Sequence, residues 1–306
     1  MNADGGRPRD RLCVLFTMDC QSPARRVRRE ARPRTWNASA RAIEGFCVPL
    51  LGAGHPVTLF VAPACAEEQA PLLEELIGLG VEVGLYVNPY DLDGNRYRSY
   101  LGHYRKEEQR VIVELALRRF QEALGRRPRS ARSCEFSASD DTFGVLREAG
   151  FGQASISSPG RSVGKYRAQW AGASADPHYV DPSNRLRAGT MSFLEVPVTT
   201  DAAQARGGVS PELCVDVGTA KEWHLPLADG QLHRMHEAGV AFKALCAYAR
   251  NAFAYHDEDD QVRRNLRDLI QYVDALGDRY EIVSTTLSGA HELYAGAPAP
   301  ALRVRM

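Results

Sequence analysis

Residues 12–18, LCVLFTM, run apolar without a break and stop at Asp19-Cys20-Gln21. An unbroken run of that length predicts a strand buried on both faces, which places Asp19 at its C-terminal tip. The arginine-rich stretch from Arg25 to Arg34 reads as a loop, and a helical pattern follows from about Ser39 to Leu51, ended by Gly52 and Gly54. The cycle then repeats. PVTLFVAP (56–63) reads as a strand, Glu67 to Leu79 as a helix with an apolar stripe, and VEVGLYV (81–87) as the next strand. Lys106 to Leu124 has the pattern of a long amphipathic helix, SARSCEF (130–136) of a strand, Asp140 to Ala149 of a helix and QASISS (153–158) of a further strand. Alternation of this kind predicts a parallel sheet with helical crossovers.

The stretch Arg161 to Arg187 breaks the rhythm and carries Trp170, Pro177 and Pro182, so it is expected to leave the barrel as an excursion beyond its rim. Alternation resumes with SFLEVPV (192–198) as a strand, Gly230 to Gly239 in or near a helix, and FKALCAYA (242–249) as a strand. Asp260 to Leu276 follows as a helix, and EIVSTTL (281–287) as the last strand. No repeat, low-complexity tract or interdomain linker interrupts the chain. The expectation is a single α/β domain of seven or eight βα units over residues 11–296, between a flexible N-terminus (1–10) and a C-terminal tail (297–306). In such barrels chemistry gathers where the strands end.

Composition narrows the function classes. The chain has 306 residues, 44% of them hydrophobic, enough for a sizeable core. Its 38 Lys and Arg balance 38 Asp and Glu, so no global field draws it onto nucleic acid or membrane, and the expected partner is a small-molecule substrate, with the oligomeric state open. Seven cysteines, odd in number and without a C-x-x-C pair, read as reduced thiols. With no signal-peptide pattern at the start and no apolar run near the roughly 18 residues of a membrane span, a cytoplasmic location is expected. There is no G-x-S-x-G, P-loop or G-x-G-x-x-G to support serine hydrolysis, nucleoside triphosphate chemistry or a dinucleotide, and no cofactor is expected.

In order, spacing and local wording, nearly the whole chain resembles the NodB homology domain of the polysaccharide deacetylases, carbohydrate esterase family 4. The resemblance implies a distorted NodB-like (β/α) barrel of seven or eight units. It also implies roles for particular positions. Where the family's first strand ends in Thr-Phe-Asp-Asp, with a catalytic base followed by a metal ligand, this chain has Thr17-Met18-Asp19-Cys20. The strand that carries two metal-binding histidines four residues apart is matched by Glu82 to Leu92, with Tyr86 and Tyr90 at the histidine positions. An arginine that supports the catalytic aspartate is matched by Arg132 in Arg132-Ser133-Cys134-Glu135-Phe136, and TFGVLREAGF (142–151) fits the family's wording downstream. At the place of the histidine that acts as catalytic acid, ALCAYARN offers Arg250.

Those substitutions change the chemistry. A hydrolytic metal needs imidazole, thiolate or carboxylate ligands and an open position for water. A phenol with an ordinary pKa near 10 must lose a proton to serve, and two such ligands compound that cost. No metal is expected here. A pocket with Arg132, Arg250, Tyr86, Tyr90 and Asn88 suits a carboxylate, phosphate or enolate. Asp19 is then the expected base or acid, with Cys20 or Glu135 assisting, in a cyclisation, elimination or isomerisation of a small anionic or polyketide-like molecule. Two alternatives stay open: acyl-group or amide hydrolysis through an unorthodox metal site, and a non-catalytic ligand-binding descendant. Each residue also has a plainer reading. Asp19 can merely pair with Arg132, Cys20 fill the core, and the tyrosines fill lost imidazole volume. His233 and His236 beside Glu237 lack the H-E-x-x-H pattern. His256 with the acidic run Asp257 to Asp260 reads better as a helix cap than as a cation site. The arginine-rich stretch reads as solvated or as a lid over the barrel mouth.

Overall fold

The computed structural model describes residues 9–23, 32–94 and 96–297. Most of the arginine-rich stretch, most of the N-terminal segment and nearly all of the tail lie outside the described residues. The chain opens with β1 (Arg11–Cys20), buried from Leu12 onward as its unbroken apolar run requires. Helix α1 (Trp36–Gly52) starts where the Thr35 hydroxyl accepts from Ala38 N, and β2 (Val57–Val61), α2 (Pro63–Gly78) and β3 (Glu82–Val87) continue the alternation. Helix α3 (Lys106–Leu124) ends on Gly125 in the left-handed conformation, at φ 61°, and leads to β4 (Ser130–Ser133), α4 (Thr142–Glu148) and β5 (Gln153–Ala154). Short strands β6 (Ser162–Val163), β7 (Ala168–Gln169), β8 (His178–Asp181), β9 (Asn184–Ala188) and β10 (Leu194–Glu195) follow. The remainder comprises α5 (Leu225–Glu237), β11 (Lys243–Arg250), α6 (Gln261–Ala275), β12 (Glu281–Ser284) and α7 (Leu287–Ala295).

The main sheet runs β11-β1-β2-β3-β4-β5-β10-β8-β9, with β12 paired to the start of β1. All neighbours from β11 to β10 are parallel. Backbone bonds tie the far side of the sheet back to β11: Thr199 N–H donates to Cys246 O (3.0 Å), Tyr248 N–H to Leu213 O (3.0 Å) and Val215 N–H to Tyr248 O (2.9 Å). The sheet therefore curls into a distorted (β/α) barrel in which β1 pairs with β11, β2 and, at its start, β12. Register sets the site, because Asp19 pairs with Arg250 and Tyr86 with Arg132 at the C-terminal ends of adjacent strands.

Three sequence expectations need correction. Only the first part of the 161–187 stretch is a separate hairpin, β6–β7; its second part supplies β8 and β9, which join the main sheet antiparallel through β10. The strands expected at 153–158 and 192–198 are regular over only two residues each, although Val198 N–H still donates to Ser157 O (3.0 Å) beyond them. Helix α7 went unanticipated. It is short, and it is held by polar contacts at the barrel's lower end, where Ser288 N–H donates to Glu82 (2.8 Å) and Gln153 to Ser288 Oγ (2.7 Å). All seven cysteines are buried free thiols. Among the described residues, no helix is long and apolar enough to cross a membrane.

Candidate active site

Asp19 stands at the tip of β1, only 5% exposed. Arg132, fully buried on β4, meets it: Nη1 donates to Asp19 Oδ1 at 2.9 Å and to Thr17 Oγ1 at 3.0 Å. The remaining donors of that guanidinium are also held, Nε by Ser155 O (2.7 Å) and Nη2 by Ser155 Oγ (2.6 Å), with its face over the Phe60 ring at 4.3 Å. Arg132 is thus fixed in one orientation, with four of its five N–H groups bonded to these partners. Burial pushes the Asp19 carboxyl above its ordinary value, against the opposing pull of Arg132 and, more weakly, of Arg250. Asn251 pins the tip of β1 to its neighbours, for its side chain accepts from Gln21 N (3.0 Å) and donates to Gln21 O (2.9 Å) and Ser39 Oγ of α1 (2.7 Å).

Asp19 opens into a cleft of about 1060 Å³ that is also lined by Arg250, Tyr86 and Glu135. Arg250, the last residue of β11, donates through Nε to Asp216 Oδ2 (2.8 Å), whose side chain is fully buried. Burial works against the Arg250 charge, but Asp216 more than restores it, so the guanidinium stays protonated. The Cys214 thiol donates to Asp216, and burial followed by that carboxylate drives the thiol well above its ordinary pKa, leaving it a poor nucleophile. Two residues before Arg250 on the same face of β11, the Tyr248 hydroxyl donates to Glu212 (2.6 Å). Arg161 bridges Glu212 (3.1 Å) and Glu135 (2.9 Å). Glu135 and Phe136 hold left-handed backbones, at φ 55° and 57°, where β4 ends. Non-glycine residues pay for that conformation, and such strain is common at functional sites.

Not every expected residue joins this cleft. Cys20 follows Asp19 on the strand and so points to the other face, into the core near Cys47 and Cys65, where burial holds its thiol well above the ordinary value. Asn88 is buried but serves the local turn, donating to Asp91 Oδ2 (2.9 Å) and accepting from Tyr90 N (3.3 Å). Tyr90 is 37% exposed and packs edge-on against Tyr100 at 5.2 Å, outside the cleft lining. Tyr86 does line the cleft, its phenol pushed well above the ordinary value, chiefly by burial. The residues at the family's metal positions therefore do not fit a metal. One is a buried thiol on the wrong face, one a phenol held neutral, and one a phenol outside the cleft. Among the described residues no three His, Cys, Asp or Glu side chains gather in a ligand set. His233, His236 and Glu237 are exposed on α5, and Asp260 caps α6 by accepting from Val262 N (2.9 Å).

Sequence reasoning missed Arg161, Glu212, Cys214 and Asp216. They lie in stretches without periodicity, so nothing local marks them. Tyr248 carried a signal, the period of two that puts it on the face of Arg250.

No protein-family model and no curated protein sequence matches the chain. Solved structures do. A probable polysaccharide deacetylase from Pseudomonas aeruginosa PAO1 superposes with a TM-score of 0.62 at 16% identity, over 95% of each chain. A putative polysaccharide deacetylase from Mycobacterium smegmatis gives 0.59 at 16% identity, over 92% of this chain and 89% of the other. The allantoinase PuuE gives 0.61 at 13% identity, over 95% and 94%. Barrel, strand order and these likenesses together give the chain the NodB-like fold of the polysaccharide deacetylases.

Proposed function

We propose that the chain is an enzyme that moves a proton on a small anionic or polyketide-like molecule without a divalent metal, leading to cyclisation, elimination or isomerisation. One observation carries this reading. Asp19, held by Arg132 at 2.9 Å and raised in pKa by burial, opens into the same cleft as Arg250, while the positions of the family's metal ligands do not converge. A carboxylate whose pKa is raised is a stronger base than an ordinary one and can also return the proton. Asp19 takes the proton from carbon beside a carbonyl. Arg250, engaged by Asp216 through Nε and by Cys214 Sγ through Nη2 (3.9 Å), has Nη1 left to meet the charge that develops on oxygen. Tyr86, kept neutral by burial, is a hydrogen-bond donor in the same cleft. Arg132 acts as a positioning residue, because four of its five N–H groups are held by Asp19, Thr17 and Ser155.

The test is solvent deuterium exchange, followed by NMR, into enolisable β-keto carboxylates in the presence of a chelator. Wild-type protein is expected to accelerate exchange, and Asp19→Asn to lower the rate by about 100-fold or more. Exchange that survives Asp19→Asn, or that arises only on adding zinc, overturns the reading.

A further inference from the structure

The mouth of the cleft has two features that proton transfer at Asp19 does not require. The first is apolar. Trp223, Val217 and Val209, respectively 53%, 50% and 49% exposed, all line this one cleft. Trp223 is also braced, because Gly218, at φ +69°, lies against the pyrrole part of its ring so closely that a Cβ there would stand 2.4 Å from it. A side chain at residue 218 would push the indole away, so the glycine allows the ring to stand at the mouth with about half its surface open.

The second feature is electrostatic. Every acid lining the cleft already has a cation: Asp19 has Arg132, Asp216 has Arg250, and Glu212 and Glu135 share Arg161. The other two lining cations, Lys165 and Arg206, make no ion pair among the described residues. They come from adjoining loops, since Ser162 N–H of the β6–β7 hairpin donates to Gly208 O of the 206–209 turn (2.7 Å). Because Glu212 and Glu135 share one guanidinium, the two unpaired cations leave the cleft with a net excess of one positive charge, and the same cleft holds the exposed aromatic platform.

We infer that the cleft mouth is a recognition site for a flat, apolar ring system bearing an anionic group, with the ring on Trp223 and the anion drawn by Lys165 and Arg206. This deepens the proton-transfer reading by naming its substrate class, and rests on that reading for its catalytic meaning. A neutral sugar chain would use the platform but leave the two cations without a partner. A small planar anion uses both, and a cleft of about 1060 Å³ suits one molecule of that class.

Isothermal titration with 2-naphthoate, its neutral amide and N-acetylchitotetraose tests the assignment on the full chain. Naphthoate should bind more tightly than the amide. Its affinity should fall about tenfold in Trp223→Ala, and by a similar factor in the Lys165→Ala/Arg206→Ala pair, which should leave the amide unaffected. All three substituted side chains are exposed, so the fold is not at stake. Asp19→Asn should change naphthoate affinity by less than about threefold, which separates recognition from catalysis. Normal naphthoate binding together with exchange that survives Asp19→Asn would remove the catalytic reading and keep this one. Equal binding of naphthoate and amide, unchanged affinity in Trp223→Ala, or binding of the tetrasaccharide in preference to naphthoate would overturn it.

Discussion

Arg132 and Glu195 are buried charges with opposite fates. Arg132 is bonded to Asp19, Thr17 and Ser155, so Arg132→Met should leave the Asp19 carboxylate and Ser155 buried without a counterpart, costing about 3–5 kcal/mol in denaturant unfolding. A loss below about 1 kcal/mol would mean that the pair is no anchor. Glu195 accepts from Ile156 N (2.8 Å) and Ser157 N (2.6 Å) through Oε1, but its Oε2 is buried without a partner, and burial lifts its carboxyl to about 8 from an ordinary 4.5. A raised folded-state pKa gives stability that is full below about 4.5 and is lost as pH climbs towards about 8. Wild-type protein should lose roughly 2–3 kcal/mol from this group between about pH 6 and pH 9, and Glu195→Gln should lose correspondingly less. Equal slopes in the two proteins would refute the assignment. Asp19 was legible because an apolar run ends on it, and Cys20 is turned inward by the alternation that any strand imposes. Glu195 was not legible, since inside SFLEVPV it looks like one polar residue of a strand.

At the scale of elements, α1 is locked against the segment after β11. A Cβ on Gly45 would stand 2.4 Å from His256 N and 2.6 Å from Tyr255 C, both backbone atoms that cannot swing aside. Gly45→Ala should therefore cost about 1–3 kcal/mol in thermal unfolding and loosen the Asn251 clamp on the tip of β1. Gly52→Ala, in the same helix with open space around it, should be neutral or stabilising by up to about 1 kcal/mol. Similar effects at both sites would show that helix propensity, not close approach, decides. Helix α3 was legible to its ends because a 3.6-residue apolar stripe and a terminal glycine mark it. Strands β8 and β9 were hidden by the prolines around them, and the loop from 199 to 219 by its lack of any period. That loop is where half of the cleft's acids reside, so the sequence exposed the barrel more fully than the cleft.

Across the whole molecule, a balanced charge conceals local order. Each acid lining the cleft is bonded to a cation, whereas Lys165 and Arg206 make no ion pair among the described residues, a pattern that no count of residues can express. The resemblance in strand order and motif spacing was enough to place the barrel, because those features follow from the βα rhythm. It could not place Tyr90 outside the cleft, because that depends on the turn that Asn88 caps. A site that works without a divalent metal should leave protein purified without chelators or a metal-affinity tag nearly metal-free by elemental analysis. Zinc, nickel and cobalt should each lie far below one equivalent per chain. Near-stoichiometric content of any of them would contradict a metal-free site.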